Sequence, residues 1–322
     1  MAALTRRALT GGLVGLAAAS ARGAEWPART ISILHGFPPG GPSDVVARLI
    51  ADGLSQALGQ SVIVEIRTGA SGTTAAAQVA RAAPDGYTLM VIPSGHPTAA
   101  ATFARLPFRA VADFTMISLA STYPYVMSVP SATGVDSVVA LVDLGRTRAT
   151  PLTYGTPGTG SGPHLAIELL ALQTKMKVQH VPFRGSAPAV TELIAGRLDF
   201  MMDPPASMMQ FIRDGRLRAL AVSSADHYFA LPDTPTLAEA GIPGFDVTGW
   251  QGLIAPANLP EPIVGRLNRE VRRILQQPAT VERLHAFGNE PRPSSPEEFK
   301  KRIESDIAKW AAVVDQVHFE KI

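Results

Sequence analysis

Short apolar runs alternate with helical periodicity along the first half of this chain. The run 30–34 predicts a strand, and apolar residues then recur at helical spacing across 43–58. A strand at 62–65, an alanine-rich helix at 74–82 and a strand at 87–92 follow. Alternating strands and helices predict a parallel sheet with ligand-binding loops beyond the carboxyl ends of its strands. The loops at that edge are 37–43, 68–73 and 93–97.

The same order of elements returns after residue 150. The second series comprises strands at 152–154, 178–181, 198–202 and 219–223, with helices at 164–174 and 189–195. Later helices at 263–275 and 296–317 are expected to pack on the first lobe, and chain crossings near 127 and 247 would form a hinge. The sequence thus predicts an α/β fold of two lobes, each a mostly parallel sheet flanked by helices, with a ligand cleft between them. One lobe comprises 25–126 and 248–322, and the other comprises 127–247.

Two glycine-rich loops lead directly into helices, one in each predicted lobe. The first is FPPGGPSD at 37–44, and the second is GTPGTGSGP at 155–163. The first turn of a helix has main-chain N–H groups without intrahelical acceptors and a partial positive charge. Because glycine leaves these groups accessible, an anion can bind there. The pair of loops therefore predicts a cleft that closes on a small carboxylate.

Residues 1–24 are typical of an export signal. A basic head containing Arg6 and Arg7 precedes an apolar stretch of small residues, and Ala19-Ser20-Ala21 fits an A-x-A cleavage pattern. The arginine pair fits twin-arginine export or a general secretory signal. A membrane-bound N-terminal helix is disfavoured because the apolar part is short and broken by glycine. Since no later stretch is long and apolar enough to span a membrane, we expect a periplasmic mature protein.

Charge and cysteine content narrow the class of protein further. The chain has 29 basic and 27 acidic residues, and removing residues 1–24 deletes three arginines and no acid, which leaves 26 against 27. This balance gives no support for nucleic-acid binding. The absence of cysteine excludes disulfides, thiol catalysis, thiolate metal sites and attachment through a lipobox cysteine.

No spacing typical of a catalytic or cofactor site accompanies the glycines. Ser161 lacks the flanking glycines of a nucleophile elbow, and the segment 158–163 lacks the final glycine of a dinucleotide fingerprint and the lysine of a P-loop. The seven histidines are scattered, without the close pair that a metal site would use. We therefore expect no cofactor, no metal and no enzymatic activity.

Six motifs, taken in order, resemble one known family over nearly the whole mature chain. They are FPPGGPSD at 37–44, APDGYTL at 83–89, VPFRGSAPA at 181–189, LRALAV at 217–222, LPDTPT at 231–236 and EAGIPG at 239–244. Together they are similar to the substrate-binding proteins of tripartite tricarboxylate transporters, also called Bug receptors.

The resemblance implies a type II-like periplasmic binding fold whose two lobes close on the ligand. Such receptors hold a carboxylate between the loop after the first strand and the matching loop of the second lobe, with bridging waters; here these are 37–44 and 155–164. It also implies delivery to membrane permease subunits, and we expect the receptor to be a monomer. The chain departs from the family pattern at 66–72 and 203–205, both near the expected ligand, so the identity of the substrate does not transfer.

The residues expected to contact the ligand belong to six loops. They are Phe37, Pro38, Gly40, Gly41, Ser43 and Asp44; Ser71 and Gly72; Ser94, Gly95 and His96; Thr156, Gly158, Thr159, Gly160, Ser161 and His164; Phe183, Arg184, Gly185, Ser186 and Ala187; and Asp203.

Several of these residues also have a structural interpretation. Asp44 would repel an anion, so a cap or a structural hydrogen bond is favoured there. His164 fits capping or packing as well as donation to the ligand. Phe37 and Phe183 fit a cleft wall and the core equally, and Trp250 is expected to pack at the hinge.

Two charged residues remain open in their roles. Arg184 could pair with a second carboxylate through its planar fork, although an exposed surface arginine is the commoner case. Asp203 could bind an amine of the ligand, or could support the site through a hydrogen bond.

The resulting hypothesis is a receptor for a small organic anion, with two alternatives from other classes. One is a receptor that presents its closed form to a membrane signalling partner. The other is an exported hydrolase on a related fold.

Overall fold

The computed structural model describes residues 26–322, so the expected export signal at 1–24 lies outside the described residues. The strands are β1 (Ile31–His35), β2 (Val62–Ile66), β3 (Thr88–Pro93), β4 (Phe114–Pro124), β5 (Val126–Pro130), β6 (Leu152–Thr156), β7 (Val178–Pro182), β8 (Phe200–Asp203), β9 (Leu217–Val222), β10 (Thr248–Pro256) and β11 (Glu290–Pro291). The α-helices are α1 (Pro42–Leu58), α2 (Thr73–Val79), α3 (Gly95–Thr102), α4 (Val138–Thr147), α5 (Gly162–Thr174), α6 (Ser186–Ile194), α7 (Pro205–Arg213), α8 (Glu261–Leu275), α9 (Pro278–Ala286) and α10 (Pro296–Gln316).

The strands form two separate sheets. The first has the order β11-β4-β10-β3-β1-β2, and the second has the order β7-β6-β8-β5-β9. We call the parts of the chain built around them lobe 1 and lobe 2. The chain passes from lobe 1 to lobe 2 at Tyr125, between β4 and β5, and returns at Val247, just before β10.

Both sheets are mixed, which corrects the expectation of mostly parallel sheets. In lobe 1, β1 pairs in parallel with β2 and β3, whereas β10 is antiparallel to β3 and β4. In lobe 2, β6 pairs in parallel with β7 and β8, whereas β5 is antiparallel to β8 and β9. The reason is the connectivity: β5 and β10 enter their sheets from the hinge and run away from the edge at which the other main strands end.

Local sequence signals set most of the helix boundaries. Gly59 adopts the left-handed conformation that ends α1, and Ser295 and Glu298 form a reciprocal capping box at the start of α10. The sequence interpretation missed α3 and α9. The segment of α3 is rich in alanine and threonine and contains a proline, so it lacks the polar face that marks an amphipathic helix.

The last helix of lobe 1 also reaches lobe 2. In its first half Phe299 and Ile303 belong to the lobe 1 core, whereas Trp310, Val313 and Val314 belong to a core cluster that includes α5. Trp250 is fully buried, packs edge-on against Phe299 and donates from Nε1 to Asp306 at 2.8 Å. Trp250 thus packs in the core of lobe 1, and a role for it at the hinge stays a prediction. No helix among residues 26–322 is long and apolar enough to cross a membrane.

Candidate functional site

The glycine-rich loop of lobe 1 is organised by Asp44. This buried carboxylate accepts hydrogen bonds from the Gly40 N–H at 2.9 Å and from Arg48 Nε at 3.0 Å, and its second oxygen lies 3.1 Å from Nε2 of the buried His35. Burial alone would raise the pKa of Asp44, but the hydrogen bonds from Arg48, Gly40 and His35 lower it below its ordinary value. Asp44 is thus ionised and has a structural role in the loop, as the favoured interpretation holds.

Other main-chain donors at this position remain available. Gly41 is the N-cap of α1 without a side-chain cap, and Pro42 begins the helix. The N–H groups of Ser43 and Asp44 lie in the first turn and have no intrahelical acceptor. Pro38 and Gly40 are exposed at the tip of the loop. Asp44 already accepts from the Gly40 N–H in this loop, and anion binding at the start of α1 stays a prediction.

Three loops of lobe 1 meet where the strands end, as the parallel arrangement of β1, β2 and β3 predicts. A Cβ atom on Gly36 would lie 2.4 Å from the Cα atom of Gly72, so these two loops require glycine to approach each other. Phe37 covers Gly72 and lines a narrow depression together with Ser71 and Gly95. The half-buried Phe37 ring is thus a wall of this edge.

His96 lines the same depression but is held by packing. Its ring stacks on Phe108 and meets Phe114 edge-on, with centroid distances of 5.4 Å to both. Nε2 lies 2.8 Å from the Ala110 carbonyl oxygen, and burial lowers the pKa of His96 to about 4. The ring is neutral at neutral pH and supports lobe 1; its contact with a ligand stays a prediction.

The glycine-rich loop of lobe 2 is held by neutral side chains. The Gly160 N–H donates to Nδ1 of His164 at 3.0 Å, and Ser161 caps α5 by accepting from the His164 N–H at 3.4 Å. Thr156 is buried, with Oγ1 donating to the Gly158 carbonyl oxygen at 3.1 Å. Hence this loop, unlike that of lobe 1, contains no ionised side chain among its hydrogen-bond partners.

A stack of two imidazoles lies behind this loop. The rings of His164 and His180 are 3.7 Å apart and nearly parallel, and Nε2 of His180 lies 2.6 Å from Oγ1 of Thr156. Burial lowers the pKa of His164 to about 3, with a contribution from His180, and burial lowers the pKa of His180 to about 4. Both rings are therefore neutral near pH 7, and His164 is a positioning residue of the loop.

The loop before α6 is tied to the one just described. The N–H groups of Phe183 and Gly185 donate to the carbonyl oxygens of Thr156 and Pro157, at 3.0 and 3.1 Å. The half-buried Phe183 packs against the lobe 2 core. The other predicted contacts in this loop differ in exposure: Ser186 is half-buried at the start of α6, whereas Arg184 and Ala187 are exposed. In the neighbouring loop, Thr159 is also exposed.

The hinge contributes two tyrosines that sequence reasoning missed. Tyr123 and Tyr125 are buried where the chain passes between the lobes, and the side chain of Ser94 lies beside both hydroxyls. A Cβ atom on Gly162 would lie 2.2 Å from the Tyr125 hydroxyl, so this hydroxyl touches the start of α5. Burial raises the pKa of Tyr123 to about 12 and that of Tyr125 well above its ordinary value. Both phenols are therefore protonated donors, and the signal that could have found them is the Tyr-Pro-Tyr sequence close to the expected chain crossing near 127.

Asp203 ends β8 at the same edge and is fully buried. One carboxyl oxygen accepts from the Ser207 hydroxyl at 2.6 Å, and the other, Oδ1, has no hydrogen-bond partner within residues 26–322. Burial raises the pKa of Asp203 to about 6, against hydrogen bonds from Ser186 and Ser207 that lower it.

The two lobes touch beside these loops. A Cβ atom on Gly160 would lie 3.1 Å from Oγ1 of Thr102 in lobe 1. Ile322 also reaches this position: its main chain exchanges hydrogen bonds with Thr102 and Ala104 of lobe 1, and its side chain lies beside Gly160. Whether the loops 37–44 and 155–164 share one ligand stays a prediction.

A cavity of about 430 Å³ lies between the lobes at another part of the hinge. Its lining includes Tyr123 but none of the residues predicted to contact the ligand. Two of its charged groups are engaged: Arg302 bonds Asp306 and Thr248, and Glu290 bonds His285. Arg292 and Asp226 also line this cavity and form no ion pair within residues 26–322. We place the candidate site at the glycine-rich loops because these loops carry the helix-start N–H groups of both lobes. In the described part of the chain, no group of three or more His, Asp or Glu side chains could hold a metal ion.

The chain forms two α/β lobes joined by two crossings, and a glycine-lined helix start lies at the edge of each sheet. This arrangement is typical of a solute-binding protein of the periplasmic type. A family model described as the tripartite tricarboxylate transporter family receptor matches residues 46–319. This chain belongs to that family, which confirms the resemblance seen in its motifs.

Individual relatives agree with this assignment. BugT of Bordetella pertussis is 34% identical over 291 residues, covering 90% of this chain and 89% of BugT. The structure of Rpa4515 from R. palustris with adipate matches with a TM-score of 0.81 and 33% identity, over 92% of this chain and 100% of that one. MatC from Rhodopseudomonas palustris with bound malate matches with a TM-score of 0.76 and 35% identity, over 90% and 100% of the two chains. These neighbours confirm the two-lobed fold, and membership of the receptor family makes this chain a solute-binding protein rather than an enzyme.

Proposed function

We propose that this protein captures a small carboxylate-bearing metabolite between its lobes and delivers it to the permease of a tripartite tricarboxylate transporter. The observation that carries the proposal is the presence of a glycine-lined helix start in each lobe, at Gly41 in α1 and at Ser161 in α5. Main-chain N–H groups at such positions bind anions without a lysine or arginine. The Ser94, Tyr123 and Tyr125 hydroxyls add neutral donors between the two loops.

The neighbours indicate the chemical class of the ligand. Rpa4515 was solved with adipate and MatC with malate, and both are dicarboxylates of four to six carbons. A dicarboxylate has two anionic groups, so one carboxylate can bind at a helix start while the other contacts a second group of the cleft. We infer that such a diacid is the ligand class of this chain as well.

Lobe closure supplies the mechanism. A ligand that bridges both loops binds the closed form better than the open form and shifts the equilibrium towards it. Tyr125 lies at a crossing of the chain and touches Gly162, so movement of lobe 2 about the hinge changes the environment of α5 directly. A permease would then recognise the closed form.

Thermal-shift screening followed by calorimetry tests the binding proposal. The probes are succinate, malate, glutarate and adipate, with acetate and citrate for comparison, because a ligand that binds only the folded state raises the melting temperature. Gly41→Val is the site variant: Gly41 has an extended φ of −82°, and its added Cβ would meet the Pro38 carbonyl oxygen at an ordinary 3.6 Å. We expect at least tenfold weaker binding with an unchanged melting temperature of the free protein.

Gly265→Val is the matched control, because Gly265 is exposed in α8 with no atom near its Cβ position. It should leave affinity unchanged. Normal binding by Gly41→Val would contradict the role of the α1 start, and failure of every carboxylate to bind would contradict the function itself.

Export and delivery are separate parts of the proposal. Expression of the full chain in a Gram-negative host, followed by osmotic shock and N-terminal sequencing, should give a periplasmic protein that begins close to residue 22. Carboxylate uptake by cells that contain the permease should require this protein. A chain retained in the cytoplasm with residues 1–24 attached would contradict the proposed location.

A further inference from the structure

Asp203 has an unsatisfied oxygen at the edge where the candidate site lies. Its side chain is fully buried at the carboxyl end of β8, and Oδ1 has no partner in the described chain. A buried polar atom without a hydrogen bond costs free energy and is rare in folded proteins. Since Asp203 ends β8 at the loop-bearing edge of the sheet, its unpartnered atom is a candidate for a contact that forms when the ligand binds.

The groups around Asp203 are hydroxyls, not cations. Ser207 in α7 is its hydrogen-bond donor, and Ser186 at the start of α6 lies close enough to lower its pKa. On the hinge side, the titratable groups whose charges couple to it are Tyr123 and Tyr125, which stay neutral at physiological pH. Arg184, in the loop before α6, is exposed, and within residues 26–322 no lysine, arginine or histidine forms an ion pair with Asp203.

We propose that Asp203 acts as a neutral carboxylic acid that donates a hydrogen bond to the second carboxylate of a dicarboxylate ligand. This rests on the proposed function, in which the first carboxylate is held at the helix starts. The O–H proton stays between the two oxygens, so no covalent bond forms or breaks. Where free Asp203 is ionised, binding takes up one proton from solvent.

Electrostatics favours this arrangement. Burial already raises the pKa of Asp203 to about 6, and a ligand anion in contact with it would raise the pKa further, because two adjacent carboxylates cannot both remain ionised. Within residues 26–322 no cation is paired with Asp203, and the nearby Arg184 is exposed, so a protonated carboxyl provides a buried donor without adding charge. Asp203 would therefore select diacids over monoacids of similar length.

The sign of the pH dependence follows from linkage. The ligand binds the protonated form, so affinity for the dianion should rise as pH falls from 8.5 to 6, by up to about tenfold per pH unit above the pKa of Asp203. If a ligand amine paired with ionised Asp203, affinity would instead fall as the pH falls.

The experiment is calorimetry of succinate, glutarate and adipate at pH 6–8.5, each in two buffers of different ionisation enthalpy. We expect proton uptake that approaches one per ligand at pH 8, and binding at least tenfold tighter at pH 6 than at pH 8. Butyrate and valerate are the monocarboxylate controls and should bind without proton uptake.

Asp203→Asn and Asp203→Ala separate the role of the donor from that of the charge. Asparagine keeps an N–H donor, so this variant should bind diacids at pH 8 as tightly as the wild type does at pH 6, without pH dependence. Alanine should weaken diacid binding at least tenfold while leaving monoacid binding unchanged.

Diacid binding without proton uptake by the wild type would overturn the role of Asp203 while leaving the receptor function intact, and this result needs no variant. Preference for an amino acid, lost in Asp203→Asn, would overturn it in favour of an amine contact. Absence of binding by any carboxylate would instead count against the proposed function.

Discussion

The two glycine-rich helix starts look alike in sequence but are stabilised by different electrostatics. In lobe 1 the ionised Asp44 accepts from the Gly40 N–H, so a negative charge lies within the first turn of α1. In lobe 2 the Gly160 N–H donates to the neutral His164, and the Ser161 hydroxyl caps α5. An anion at the start of α1 would face the charge of Asp44, whereas the side chains that hold the 155–164 loop by hydrogen bonds are neutral. The difference teaches that one pattern of strand, glycine loop and helix can be stabilised either by an ionised carboxylate or by neutral groups, and we expect the neutral loop of lobe 2 to oppose a bound anion less.

The largest expected difference between the two loops is in how the free energy of unfolding responds to low pH. The pKa of His164 is lowered to about 3 and that of His180 to about 4, whereas an unfolded histidine titrates near 6.5. Because the unfolded chain binds these protons first, the free energy of unfolding should fall as the pH drops from 6.5 to 4. The slope is up to about 1.4 kcal/mol per pH unit for each histidine. The buried His96 of lobe 1, whose pKa is also lowered to about 4, adds a contribution of the same sign, so the histidine variants identify the share of lobe 2.

Urea unfolding followed by circular dichroism between pH 7 and 4.5 measures this slope. His164→Asn keeps an oxygen that can accept from the Gly160 N–H, and it should flatten the profile. His227→Gln is the control: His227 is exposed and bonded to Glu239, and this contact raises its pKa. A wild-type profile that is flat from pH 6.5 to 4.5 would refute the neutral histidine stack.

Removing Asp44 should have the next largest effect, and it acts in lobe 1. Asp44→Ala leaves the buried His35 and the Gly40 N–H without their partner, which should cost about 3 kcal/mol of unfolding free energy at pH 7. Asp143→Ala is the control, since Asp143 forms only an exposed pair with Arg146 and should cost less than about 1 kcal/mol.

The two loops also differ in the pH range over which their contribution to the free energy of unfolding is lost. The lowered pKa of Asp44 means that its contribution is complete above the unfolded value of about 4 and disappears as the pH falls through the folded value. The cost of Asp44→Ala should therefore stay constant from pH 7 to 5 and shrink below 4. A cost that already disappears at pH 6 would show that Asp44 is not held ionised by its partners.

The fold could be predicted largely from local patterns. Strand, glycine loop and helix are encoded by neighbouring residues, so β1 with α1 and β6 with α5 were located to within two residues at each end. The mixed sheets could not be seen, because the direction of β5 and β10 depends on how the chain crosses the hinge. The helix α3 was missed because its small residues give no amphipathic pattern.

The candidate site was less predictable than the fold. The loop positions follow from the patterns, but the partners of polar atoms depend on tertiary contacts. Sequence alone could not reveal that the His96 ring would pack between Phe108 and Phe114, nor that Tyr125 would touch Gly162 from a distant strand. The orphaned Oδ1 of Asp203 likewise depends on the packing of α6 and α7 around β8.

The smallest expected effect comes from removing either of two serine N-caps. Ser161 caps α5 at the candidate site, and Ser295 caps α10 in lobe 1. Ser161→Ala and Ser295→Ala should each cost about 1 kcal/mol of unfolding free energy, because a first-turn N–H loses its acceptor. Only Ser161→Ala should also weaken carboxylate binding, by about tenfold, since the loop amides of lobe 2 then lose their fixed orientation. Paired urea unfolding and calorimetry measure both quantities, and equal effects of the two variants on affinity would mean that lobe 2 does not hold the charge of the ligand.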